Sequence, residues 1–189
     1  MPPARPPTVH QLKIVLRDTE VWRRLQVPST TTLARLHDVI QRALGWQDYH
    51  LHAFEINGVR YGIDDGEDWG EPPKDERRAR LATVAPVGVS FAYQYDFGDS
   101  WDHDINVEAL LPQQAGKLYP VCVAGAKACP PEDCGGPPGF EELLAVLADP
   151  QHEEHVHMRT WAGEGYDPER FDLKAVNESL SFIAARRLR

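Results

Sequence analysis

Five side chains able to hold a metal ion or carry a proton fall within nine residues of the stretch YQYDFGDSWDHDI (Tyr93–Ile105): Asp96, Asp99, Asp102, His103 and Asp104. Carboxylates suit Mg²⁺, and an imidazole added to them suits Zn²⁺. The same groups serve general acid–base catalysis. Asp96-Phe97-Gly98 also spells the metal-binding tripeptide of protein kinases. A kinase needs in addition a glycine-rich phosphate loop, a strand lysine and a catalytic loop with Asp and Asn. The sequence has none of these, so kinase chemistry is excluded.

A second group of reactive residues lies in ACPPEDCGG (Ala128–Gly136). Pro130 and Pro131 stiffen the backbone before Glu132 and Asp133, and Gly135-Gly136 permit close approach after them. Asp99, His103, Glu132 and Asp133 are therefore the candidate catalytic residues. Candidate ligands for zinc or magnesium are Asp96, Asp99, His103, Cys129, His152 and His155. The cysteines follow C-x6-C-x4-C (Cys122, Cys129, Cys134), a loose match to zinc-site spacing, which favours two to four intervening residues and four ligands. His152 and His155 share a helix face at i, i+3 but do not form H-E-x-x-H. Each candidate has a structural counterpart: Asp99 would stabilise a turn through backbone amides, and His103 would sit hydrogen-bonded in an aromatic core. His50 and His52, at i, i+2, read as a partly exposed strand face with no third ligand near them in sequence. His37, on the flank of a helix stripe, reads as a surface residue.

The elements that must position these residues are legible from periodicity. Residues 10–17 alternate as a strand, and 20–27 alternate as its hairpin partner. STTTLARLHDVIQRALGW is a helix with a Thr cap and Gly45 as its left-handed stop. Residues 49–56 and 59–63 form a hairpin about Asn57-Gly58. Residues 64–80 read as an acidic surface loop, and RLATVAP as one short helical turn. Val89, Phe91, Tyr93, Tyr95 and Phe97 alternate strictly; Trp101, His103, Ile105 and Val107 resume after Gly98-Asp99-Ser100. That hairpin puts Asp96 and Asp102 on the polar side and His103 on the other. Residues 119–140 read as loop, followed by three helices, the last two opened by Asp-Pro pairs. The order β-β-α-β-β-β-β followed by helices predicts an α+β fold with a mixed or mainly antiparallel sheet, its start compatible with a β-grasp-like arrangement. A Pro-rich tail (1–8) would precede a single domain (9–189).

The chain has 189 residues and a net charge of −9. Residues 1–47 hold seven Lys/Arg against three Asp/Glu. Weak nucleic-acid contact would therefore run through Lys13, Arg17, Arg23, Arg24, Arg35 and Arg42; the competing reading is a solvated face. No apolar run is long enough to span a membrane, and three clustered cysteines make a poor disulfide framework. Both point to a cytoplasmic protein.

The stretches YQYDFGDSWDHDINVE, YPVCVAGAKACPPEDCGGPPGFEELLAVLADPQHEEH and WAGEGYDPERFD resemble the plasmid pRiA4b ORF-3-like family, over about Val9 to Ile183. Tyr95, Asp96, Gly98, Asp99, Trp101, His103 and Glu108 match its pattern in the hairpin. Cys129 to Asp133, Gly135 and Gly136 match in the loop, and His152, His155 and Trp161 beyond it. Cys134 departs, standing where an apolar residue is expected, which weakens a three-cysteine zinc site. The resemblance implies a bacterial or archaeal α+β domain, with some members attached to plasmids and insertion elements. It implies no defined reaction. Three functions follow as expectations: a binding or accessory module of mobile elements, a metal-dependent hydrolase-like enzyme, or motifs that only specify the fold.

Overall fold

The computed structural model describes residues 7–64, 66 and 71–185. The expected tail at 1–8 and the core of the acidic loop lie largely outside them. Eight strands form one sheet: β1 (Thr8–Leu16), β2 (Trp22–Pro28), β3 (His52–Ile56), β4 (Val59–Gly62), β5 (Lys74–Asp75), β6 (Ser90–Tyr95), β7 (Trp101–Pro112) and β8 (Val121–Ala126). Their order is β5-β4-β3-β6-β7-β1-β2-β8. Every pairing is antiparallel except β4 with β5, so the sheet is mixed and mainly antiparallel. Five helices complete the described residues: α1 (Leu33–Leu44), α2 (Leu81–Val84), α3 (Gly136–Ala148), α4 (His155–Ala162) and α5 (Leu173–Ala185).

Period-two burial sorts the sheet into two faces. Leu12, Ile14, Leu25, Phe54, Phe91, Tyr93 and Ile105 are buried, packed with Leu33, Leu36, Val39 and Ile40 of α1 and Leu180 and Ile183 of α5. The other face carries Gln11, Lys13, Arg24, Gln94, Asp102 and Asp104, all partly exposed. Thr32 caps α1 by accepting from Arg35 N–H, and Gly45, at φ 89°, stops it.

Between β1 and β3 stand β7 and β6. Two features differ from the sequence expectation. Residues 121–126, read as loop, form edge strand β8 on β2. Its composition hides it, but Asn177 of α5 completes the ladder: its side chain accepts from Cys122 N–H at 2.8 Å and donates to Cys122 C=O at 2.9 Å. The 64–80 segment is not all surface either. It contributes β5, and Glu76 is buried.

Candidate functional site

The segment 46–51 joins α1 to β3 and is held almost wholly by distant acceptors. Trp46 N–H donates to Gln41 C=O at 3.0 Å, and its indole N–H donates to Pro130 C=O at 2.9 Å. Gln47 N–H donates to Glu132 Oε2 at 2.8 Å, and Tyr49 N–H to the Tyr95 hydroxyl at 3.0 Å. Tyr95 O–H donates in turn to Glu132 Oε1 at 2.6 Å. Burial and then this carboxylate push the Tyr95 hydroxyl well above its ordinary proton affinity. Trp46 stacks on Tyr95 with centroids 5.0 Å apart. Both oxygens of Glu132 are thus engaged as a clasp between the loop and this segment.

The turn between β6 and β7 is built on Asp96. The strand ends at Tyr95 and Asp96 adopts φ 56°, a left-handed conformation that Asp tolerates better than most residues. Its Oδ1 accepts from Gly98 N–H at 3.0 Å and Asp99 N–H at 3.2 Å. That rotation breaks the alternation expected through residue 97. Asp96 turns inward and is buried, whereas Phe97 lies outside, partly exposed, under the Arg60 guanidinium. Asp99 Oδ2 accepts from Gly135 N–H at 3.1 Å. Gly136, at φ 68°, lies so close to the Asp99 backbone that a Cβ would stand 2.4 Å from Asp99 C=O. The hairpin end and the proline–carboxylate–glycine loop therefore meet.

They meet on His50. Its Nε2 lies 2.9 Å from Asp133 Oδ1 and 3.5 Å from Asp96 Oδ2. One ligand atom from each of the three lies within 4.8 Å of the others. Asp133, like Asp96, has a left-handed backbone, φ 59°; residues held there cluster at ligand clamps and active sites. Asp96 is nearly buried, His50 partly exposed and Asp133 largely exposed, so the group opens to solvent on one side. An imidazole and two carboxylates in this spacing can hold a divalent cation with positions left for water.

The other candidates are placed elsewhere. His103 is fully buried, and its Nδ1 faces the carbonyls of Tyr93 and Trp101 at 3.2 and 3.0 Å. Nδ1 must then carry the proton, and burial lowers the imidazole pKa to about 4, so the ring is neutral core. His155 Nδ1 is bound to Val146 C=O, and His152 Nδ1 accepts from Glu154 N–H. Among the described residues, the groups of donors within reach of one ion include neither of these histidines, nor Asp99, nor any cysteine. Burial pushes the Cys129 thiol far up and Cys134 to about 12, each also raised by a neighbouring negative group. Neither offers a thiolate.

The basic residues are largely spoken for. Arg23 is buried, donating to the carbonyls of Trp22, Ala43 and Ala126 and lying over Phe171; it cannot reach a nucleic acid. Arg17 pairs with Asp104, Arg24 with Glu108 and Arg35 with Asp38. Lys13 lies over Trp22.

Sequence reasoning passed over His50, and gave no role to Trp46 or Asp48. His50 was visible as half of an i, i+2 pair, but its partners Asp96 and Asp133 lie 46 and 83 residues away. A second group, His37, Asp48 and His52, also lies within ligand reach, and nothing in its spacing announces it.

The family model described as plasmid pRiA4b ORF-3-like protein matches residues 8–175. The uncharacterized protein y4hQ of Sinorhizobium fredii is 41% identical over 184 residues, covering 95% of this chain and 94% of its own length. The crystal structure of a protein of unknown function from Methanosarcina mazei Go1 superposes with a TM-score of 0.82 at 39% identity, over 89% of this chain and 97% of that one.

Proposed function

The chain belongs to the plasmid pRiA4b ORF-3-like family, and from that premise we propose that it is a divalent-cation-dependent module with a hydrolase-like centre at His50, Asp96 and Asp133. The observation that carries this is the convergence of three segments, remote in sequence, on ligand atoms within 4.8 Å of one another. Two of the three ligands sit on strained left-handed backbone, and Glu132 and Asp99 are occupied in holding the segments together. A mixed imidazole–carboxylate set suits Mn²⁺ or Zn²⁺. Bound there, such an ion supplies Lewis-acid chemistry and lowers the pKa of a coordinated water.

Three free thiols support a reducing compartment, the cytoplasm. A mobile-element role is supported by the family's plasmid name alone. Nucleic-acid contact through the N-terminal cations finds little support, since one is buried and three are paired.

Calorimetric titration of metal-free protein with Mn²⁺ and Zn²⁺ tests the reading. The expected result is one equivalent bound, weakened about tenfold or more by His50→Ala and by Asp133→Asn, on the scale set by disturbing metal-site shells. Hydrolysis of p-nitrophenyl acetate, phosphate and bis-phosphate should then appear only with the ion present. No saturable binding of either ion, or equal binding by both variants, overturns the cation centre.

A further inference from the structure

Beside the cation centre lies a cavity of about 500 Å³, within the range of small-molecule sites. His37 and His52 form its floor; Asp48, Asp75, Glu76 and Arg77 stand around it. The two imidazoles stack face to face, centroids 3.5 Å apart and planes 5° from parallel. Each has its own carboxylate: His37 Nε2 to Asp48 at 2.7 Å and His52 Nε2 to Glu76 at 2.9 Å.

A metal ion is the obvious occupant, and the geometry speaks against it. Two imidazoles on one tetrahedral ion, with metal–nitrogen bonds of about 2.0–2.1 Å, hold their centroids roughly 5 Å apart; this stack is closer. Proton positions agree. The buried Tyr93 hydroxyl accepts from Gln41 Nε2 at 3.1 Å and lies 2.8 Å from His37 Nδ1. With Gln41 able only to donate, the Tyr93 proton goes to Nδ1. His37 Nε2 therefore keeps its own proton and donates it to Asp48. An ion would have to displace that proton.

The same assignment fixes the charge of the cavity. Burial, then the neighbouring His52, lowers the proton affinity of His37, which stays neutral and leaves the charge of Asp48 uncompensated. That carboxylate is about half exposed, its side chain at 51%. Asp64 adds further negative charge, and Leu51, Ile63 and Pro73 give apolar wall; Asp38 is paired with Arg35. The guanidinium of Arg77 already docks on Asp75 at the rim through two hydrogen bonds, so the chain's own organic cation is bound by this lining.

We infer that this cavity is a binding site for a small organic cation, a primary ammonium or guanidinium on a short aliphatic body. The charged end meets Asp48 and the body lies against Leu51 and Ile63. The site is independent of the ion at His50, although His50 also lines the cavity.

Calorimetry with putrescine, 1,4-butanediol and succinate on the intact chain tests it. Putrescine should bind about tenfold or more tightly than the isosteric diol, and succinate should not bind. Asp48→Asn should weaken putrescine about tenfold, since Asn tolerates the left-handed backbone at 48 (φ 62°) and still accepts from His37. Asp75→Asn, on the exposed rim, is a second arm with a smaller loss if Asp48→Asn proves unstable by circular dichroism. Asp133→Asn, a cation-centre residue outside the cavity lining, should bind putrescine as the parent does. Equal binding of diol and putrescine overturns the inference. So does loss of putrescine in Asp133→Asn with none in Asp48→Asn, which would put the amine on the cation centre instead; failure of Mn²⁺ binding alone leaves it standing.

Discussion

At the scale of single residues, His103 illustrates how burial decides chemistry. Its Nδ1–H is shared between two carbonyls, and its Nε2 has no partner among the described residues. Protonation would place a charge in the core. The native pKa is about 4, and that of the unfolded chain is about 6.5. Between those values the unfolded chain binds the proton and the native one does not, so stability contributed by neutral His103 is full above about pH 6.5 and is lost as pH falls toward 4. A difference of this size amounts to roughly 3 kcal/mol at most. Urea denaturation of the parent and His103→Gln from pH 7.5 to 4.5 should show a shallower pH slope for the variant. Equal slopes would mean that His103 is not the buried base assigned here. Cation binding at pH 7.5 should be unchanged, which separates this residue from the ligands.

At the scale of elements, the site depends on how closely the hairpin turn and the glycine loop approach. Gly136 combines a positive φ with the 2.4 Å approach to Asp99 C=O. Gly136→Ala should cost about 1–3 kcal/mol for backbone strain, with more from overpacking. Asp133, three residues upstream, would be carried away from His50. Mn²⁺ binding should therefore weaken together with stability, whereas Gly58→Ala, where a Cβ meets nothing, should strain its own turn and leave Mn²⁺ affinity unchanged. The other dependent element is β8. A bulge leaves Val123 unpaired between Ala124, opposite Arg24, and Cys122, opposite Leu25, and Asn177 covers the free side of the strand. Asn177→Leu should leave the Cys122 amide unsatisfied, at a cost of about 1–3 kcal/mol, and raise its hydrogen-exchange rate above that of the β1–β7 ladder. Unchanged exchange at Cys122 would remove Asn177 from the account of the edge.

At the scale of the molecule, what could be read from the chain and what could not divide along the range of the forces involved. Alternation and capping are local, so both outer hairpins, α1 with its Gly45 stop and the β6–β7 ladder were legible. β8 was not, because VCVAGA has little alternation and is held by Asn177 from 55 residues away. Asp96 and Phe97 exchanged faces because one left-handed residue overrode the period. The candidate ligands were legible only by type. Asp96 and Asp133 were named, but the histidine that unites them is supplied by the long-range clasp of Trp46, Tyr95 and Glu132. That same remoteness would give the proposed cation centre a global consequence. His50, Asp96 and Asp133 are brought together only when the whole sheet is formed, so an ion held by all three binds the native chain and not the unfolded one. Mass action then stabilises the fold by about 2.7 kcal/mol at a free ion concentration one hundred times Kd. In a domain of this size that corresponds to a rise in Tm of roughly 5–10 °C. Scanning calorimetry with Mn²⁺ should show the rise, EDTA should reverse it, and Asp133→Asn should cut it to about half or less while keeping its metal-free Tm near the parent's. An undiminished rise in Asp133→Asn would place the stabilising ion elsewhere on the protein.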